Sequence, residues 1–144
     1  GDATITKSGN VVTIVNSKAT ESGNKITCDL NTSGFTDKAD PTLVTLSDGT
    51  TVSFAKETGA NAPKYYAGSK GVRMYALNSM TVTGSKAIAK MVLTCDVYNS
   101  LNEVGNDQLY TKITGNIWKT VNDYISTSGG TQLRVQTIEI TYAK

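Results

Sequence analysis

From Ala87 to Tyr98 the chain alternates. Ala89, Met91, Leu93, Cys95 and Val97 share one face, while Lys90, Thr94 and Asp96 bracket Val92 on the other. A period of two marks a β-strand with one buried face, because successive side chains of an extended chain point to opposite sides. A helix would scatter the same five residues around its axis. The pattern recurs in shorter form: Lys25–Leu30 sets Ile26, Cys28 and Leu30 against Thr27 and Asp29, and Ser79–Thr83 sets Met80 and Val82 against Thr81 and Thr83. Ala3–Lys7 and Val11–Asn16 flank Ser8-Gly9-Asn10 as a hairpin.

Turn chemistry sets the register elsewhere. Leu43–Leu46 and Thr51–Ala55 surround an Asp-Gly pair. A two-residue turn there would oppose Thr45 and Val52 and mismatch the faces. A three-residue loop, Ser47-Asp48-Gly49, opposes Val44 and Val52, keeps one face apolar and puts Gly49 in the left-handed position. In the closing stretch Thr131–Ala143, Leu133 and Val135 are out of phase with Ile138, Ile140 and Tyr142, so a bulge near Gln136-Thr137 is expected to restore one buried face. Val72–Tyr75, Leu109–Ile113, Ile117–Val121 and Tyr124–Ser126 read as further strands, and Lys56–Gly71 as a loop. Phe35, in the loop Asn31–Pro41, is expected to plug an edge of the core.

About ten short strands separated by turn signals, with no helix of useful length, indicate an all-β antiparallel β-sandwich. A closed barrel is the alternative. The 144 residues suit one compact domain with a self-sufficient core. Within it, residues 1–24 form an N-terminal hairpin extension and 25–144 the sandwich module, with the polar stretch Ser17–Asn24 between them.

Charge and residue usage exclude several functions. A net charge of +2, with no basic run, speaks against a nucleic-acid partner. No apolar run approaches the ~20 residues of a membrane span. The chain has no histidine, which removes the usual general base and the commonest metal ligand. Its two cysteines, Cys28 and Cys95, are too far apart in sequence for a zinc or redox motif. Each lies on an apolar strand face, so two buried free thiols are expected rather than a bridge.

A set of ordered segments carries a resemblance: Ile26-Thr-Cys-Asp-Leu, Gly34-Phe35-Thr36, Gly49-Thr-Thr-Val-Ser-Phe, Asn61-Ala-Pro-Lys-Tyr-Tyr, Val72-Arg-Met-Tyr-Ala-Leu-Asn, Met80-Thr-Val, Ile88-Ala-Lys-Met-Val and Gln132-Leu-Arg-Val-Gln-Thr-Ile-Glu-Ile-Thr-Tyr. From about Lys25 to Lys144 the chain resembles β-sandwich modules of secreted or lipid-anchored Bacteroidetes surface proteins. It departs from them at Cys28, where an aromatic or aliphatic residue is expected, and in its N-terminal hairpin. The resemblance implies a jelly-roll-like sandwich similar to carbohydrate-binding modules. It also implies an extracellular or outer-membrane-surface location, other domains of a parent surface protein as partners, and a glycan as ligand. It brings no catalytic residue, cofactor or metal with it.

The residues suggest where a glycan would bind. Tyr65, Tyr66, Tyr75, Trp118 and Tyr124 can stack on the C–H faces of a pyranose, and Arg73 can bond a sugar acid or a hydroxyl pair. Tyr65 and Tyr66 stand out, because two adjacent tyrosines in a loop cannot easily both turn inward. Each ring has a second reading as a core-rim residue. Arg73 has one as a tie to loop carbonyls or to a carboxylate such as Asp96, and Arg134 is expected to be a solvated strand residue. Asp29 and Glu139 would be neighbours if the first and last module strands pair, and would serve either as a calcium-holding pair or as two solvated acids. A structural or adhesive module without a small-molecule site is the alternative function. A hydrolase is disfavoured by the missing histidine.

Overall fold

The computed structural model describes residues 3–96, 109–123 and 132–144. Among them are twelve strands: β1 Thr4–Ser8, β2 Val11–Val15, β3 Glu21–Asp29, β4 Val44–Thr45, β5 Thr51–Ala55, β6 Lys64–Tyr66, β7 Gly71–Met74, β8 Ser79–Thr83, β9 Ile88–Asp96, β10 Leu109–Thr114, β11 Ile117–Asn122 and β12 Leu133–Ala143. The described residues contain no α-helix, only short 3-10 turns at Leu30–Thr32 and Ala67–Ser69. The strands form two antiparallel sheets, one of seven strands and one of five. The protein is an antiparallel β-sandwich.

The larger sheet runs β1-β2-β9-β12-β7-β6, and β3 also pairs with β12. The smaller runs β10-β11-β8-β5-β4. The N-terminal hairpin is built into the larger sheet, because Val11–Val15 pairs with Lys90–Thr94. Its first strand also reaches the other layer, where the Ala3 amide bonds the Thr111 carbonyl at 3.1 Å. Strand β3 begins at Glu21, so half of the stretch read as a polar loop is strand. Its residues there are polar because that end lies in solvent on both faces.

Alternation fixes what is buried. From the larger sheet, Val12, Ile14, Cys28, Val72, Met74, Met91, Leu93, Cys95, Leu133, Val135, Ile138 and Ile140 face inward. Val52, Met80, Val82 and Trp118 meet them from the smaller sheet, and Phe35 packs at the core edge as expected. The phase change in β12 is resolved by an irregularity: Val135 opposes Cys95 while Thr137 opposes Thr94, which leaves Gln136 as the extra residue. Leu133, Val135, Ile138, Ile140 and Tyr142 are consequently all buried. The expected pairing of the first and last module strands is present, with Cys28 opposite Ile138 and Ile26 opposite Ile140. The three-residue loop is present too: Val44 opposes Val52, and Gly49 has φ +92°. Gly71 is required by contact, since a Cβ there would lie 2.3 Å from the Val135 carbonyl oxygen.

Both cysteines are free and buried. Cys28 sits beside β12 on one edge and Cys95 on the other. Two strand spacings, about 9–10 Å, therefore separate them, beyond the ~7 Å limit for a bridge. Burial pushes the Cys28 thiol up to about 11, a bond from Ser33 partly opposing it, and pushes Cys95 up to about 12. The folded protein thus keeps two protons that the unfolded chain releases near pH 9.0, so these groups remove stability as pH rises from about 9 toward 12. Thiol titration is expected to find no reactive group in the native protein and two after denaturation, with the unfolding midpoint falling across that alkaline range. Native labelling at neutral pH would count against the buried placement.

Candidate functional site

The loop expected between Lys56 and Gly71 contains an edge strand, β6, of only three residues, Lys-Tyr-Tyr. Alternation applies to it as to any strand. Tyr65 turns inward and is 4% exposed, while Lys64 and Tyr66 turn outward. The two adjacent tyrosines therefore play different roles. Tyr65 packs at 5.5 Å from Phe35, and its hydroxyl donates to Asn31 Oδ1 at 3.0 Å. Trp118 is also a core residue. It lies on β11, opposite Val82 of the neighbouring strand, and is fully buried. Neither ring offers a face to a ligand, and both leave the platform expected from the sequence. Tyr124 lies outside the described residues.

The other three candidates meet. Arg73 lies opposite Lys64 on β7, and its guanidinium carbon sits 3.8 Å from the centre of the Tyr66 ring. The Tyr75 hydroxyl lies near enough to Arg73 and Tyr66 for both to act on its ionisation, and the buried Arg73 Nε has no hydrogen-bond partner among the described residues. Burial holds Tyr75 above its usual value; Tyr66 adds to that, and Arg73 pulls the other way. Tyr66 and Tyr75, with Lys64 and the segment Ala60-Asn61-Ala62, line an open depression of about 400 Å³. Asp40 bonds the Lys64 ammonium and holds it above its usual value.

Two devices fix this corner. Along the outer edge of β6, the Lys38 amide bonds the Tyr65 carbonyl at 2.7 Å and the Tyr65 amide bonds the Ala39 carbonyl at 3.0 Å. Behind the depression, Asn78 is fully buried. Its Oδ1 accepts from the Tyr75 amide at 2.8 Å, and its Nδ2 donates to the carbonyls of Lys56 at 3.0 Å and Asn61 at 2.7 Å. One side chain thus sets both Tyr75 and the Asn61 wall. Beside it, Leu77 has φ +66°, a left-handed geometry that costs roughly 1–3 kcal/mol and is held by the bond from its amide to Asn122. Lys64, Asp40 and Asn78 were not singled out from the sequence. For Lys64 the signal was present, since it stands two residues from Tyr66 on a period-two strand.

The remaining candidates are structural. Asp96 pairs with Arg134 at 3.9 Å, not with Arg73, and Arg134, expected to be solvated, is largely covered. Asp29 caps the first 3-10 turn through the Asn31 amide, and Glu139 pairs with Lys25 at 3.5 Å. Among the described residues no group of three or more metal-ligating side chains forms. A second, smaller depression of about 150 Å³ carries the half-exposed Tyr110 beside the Glu57–Lys119 ion pair of 3.1 Å. No family model, curated protein or solved structure matches the chain.

Core and site rings separate on stability. Tyr65→Ala and Trp118→Ala are expected to lower the unfolding free energy by about 3–5 kcal/mol, and Tyr66→Ala by under about 1 kcal/mol. Denaturant melts of the three variants would check this, and an equal loss in all three would mean Tyr66 is a core ring.

Proposed function

We propose that this domain is a non-catalytic extracellular β-sandwich module that binds glycan at the Tyr66–Arg73–Tyr75 corner, as one part of a larger surface protein. The observation that carries this reading is the coincidence, on one open depression, of two half-buried tyrosines, one stacked on the Arg73 guanidinium and the other anchored through its amide by Asn78. Rings already held in place lose little rotamer freedom on binding, and their hydroxyls lie where sugar hydroxyls need partners. The depression is shallow and open, which suits a chain of sugars running through it better than a small substrate enclosed for reaction. The location on an outer surface follows from the resemblance to Bacteroidetes surface modules.

A second reading has its own observation. Strand β3 pairs with β12 alone, so among the described residues its other edge carries no strand. That edge and the two-residue strand β4 border a groove of about 440 Å³ lined by Thr27, Asp29 and Leu43. Such an edge favours an adhesive module that adds a strand from a partner.

A glycan-array screen of the domain separates the two readings. Glycan binding is expected, with Tyr66→Ala and Tyr75→Ala each weakening it by about 1–3 kcal/mol, by analogy with rings stacked on nucleobases. Absence of any glycan ligand, or binding untouched by both variants, would reject the corner as the site.

A further inference from the structure

Across the outer face of the larger sheet, register places Lys64 opposite Arg73, Arg73 opposite Arg134, and Arg134 opposite Asp96. Three cations on adjacent strands lie within about 10 Å at the usual strand spacing. Like charges directly opposite one another destabilise a sheet, so a row of this kind needs compensation. Compensation is present at both ends, Asp40 on Lys64 and Asp96 on Arg134. In the middle it is only partial. Arg73 has the Tyr66 ring, its buried Nε has no hydrogen-bond partner, and among the described residues it makes no ion pair.

A guanidinium can only donate and stays charged, and that of Arg73 lies 3.8 Å from the centre of the Tyr66 ring. Tyr66 lines the depression with that positive charge against its ring. Beside it stands the Lys64 ammonium. The Lys64 ammonium can only donate and the Tyr66 hydroxyl can donate, while two neighbouring carboxylates are already engaged, Asp40 by Lys64 and Asp37 by the Ala67 amide.

We propose that the ligand of this corner is an anionic glycan whose carboxylate or sulfate group sits against Lys64 and the Tyr66 hydroxyl, with Arg73 supplying the charge behind them. The inference rests on the glycan reading above and adds the charge of the sugar. It also assigns a role to Asp40. This exposed carboxylate occupies the lysine that the ligand anion would take, so it competes with the ligand and lowers its affinity.

The test is binding of the domain to polysaccharides on solid support or by calorimetry. A uronic-acid polymer, a sulfated polymer and their neutral counterpart are compared, with polyglutamate as a polyanion that is not a sugar. The acidic polymers are expected to bind at least tenfold tighter than the neutral one, and the stronger of the two names the anionic group. Raising salt should shrink that preference. Arg73→Gln should abolish it, and Asp40→Asn, at an exposed position that does not threaten folding, should strengthen acidic binding several-fold. Equal affinity for acidic and neutral polymers would overturn this inference and leave the glycan reading standing. Binding to polyglutamate as tight as to the acidic polymers, or no binding to any of them, would overturn both.

Discussion

Strand β12 holds the larger sheet together. One of its edges pairs with β9 over most of its length; the other is shared by β7 at Leu133–Val135 and by β3 from Thr137 onward. Three strands from distant parts of the sequence thus take their register from eleven residues. A side-chain period of two makes this unforgiving, because a slip of one residue would turn Ile138 and Ile140 to solvent and Thr137 and Glu139 to the core. The extra residue Gln136 lets a sequence whose halves are out of phase bury both. Its side chain also donates to the Ser69 carbonyl at 2.9 Å, just before β7 begins. The candidate site inherits this register. Arg73 stands beside Lys64 on one side and Arg134 on the other because β7 is docked on the stretch of β12 before the bulge, with Gly71 allowing the close approach.

Between the layers, polar side chains add directional ties that apolar contacts lack. The Tyr142 hydroxyl, on β12, bonds Asp48 in the β4–β5 turn and Thr50 beside it, and the Thr50 hydroxyl accepts from the Ser85 amide at 3.0 Å. One tyrosine therefore links the larger sheet, a turn of the smaller sheet and the β8–β9 crossing. At the other end, Asn78 and Asn122 close a similar knot: Asn122 Nδ2 donates to the Met74 carbonyl at 3.1 Å, and the Asn122 amide to the Asn78 carbonyl at 3.0 Å. Buried polar groups are costly unless satisfied, so these knots specify the arrangement of the loops more than they add stability. Tyr75 takes its position from the second knot, which makes the candidate corner an extension of the fold and not an ornament on it.

The long strands were legible because their faces differ. β9, the Lys25–Asp29 part of β3, and both halves of β12 each contrast apolar with polar residues, and the requirement for one buried face led to the bulge and to the Ser47–Gly49 loop. Legibility failed where that contrast is missing. Lys64-Tyr65-Tyr66 is too short for a period to show, and two identical residues cannot reveal that one faces the core and the other solvent. Only the neighbouring strand β7, where Val72 opposes Tyr65, distinguishes them. Trp118 failed for another reason. Its partners in the core, Val82 beside it and the larger sheet above, come from remote sequence, so nothing local separates a buried indole from an exposed one. The half of β3 before Lys25 is polar on both faces and was indistinguishable from a loop.

Edge position decides which surface of this sandwich would suit a ligand read by side chains and which one read by backbone. β6 lies at the end of the larger sheet, yet the bonds from Lys38 and Ala39 occupy its outer edge, so a strand cannot be added at Tyr65 without displacing them. What β6 presents instead is the outward pair Lys64 and Tyr66, braced by Arg73. β3 is the reverse case. Two of its outward residues are already used, Asp29 as a cap and Lys25 in an ion pair, while among the described residues its other edge carries no strand. A ligand read by its rings, hydroxyls and charge suits the first surface, and a ligand read by its main chain suits the second. The glycan reading therefore depends on the strap of residues 38–39 as much as on the tyrosines, since without it β6 would be one more open edge.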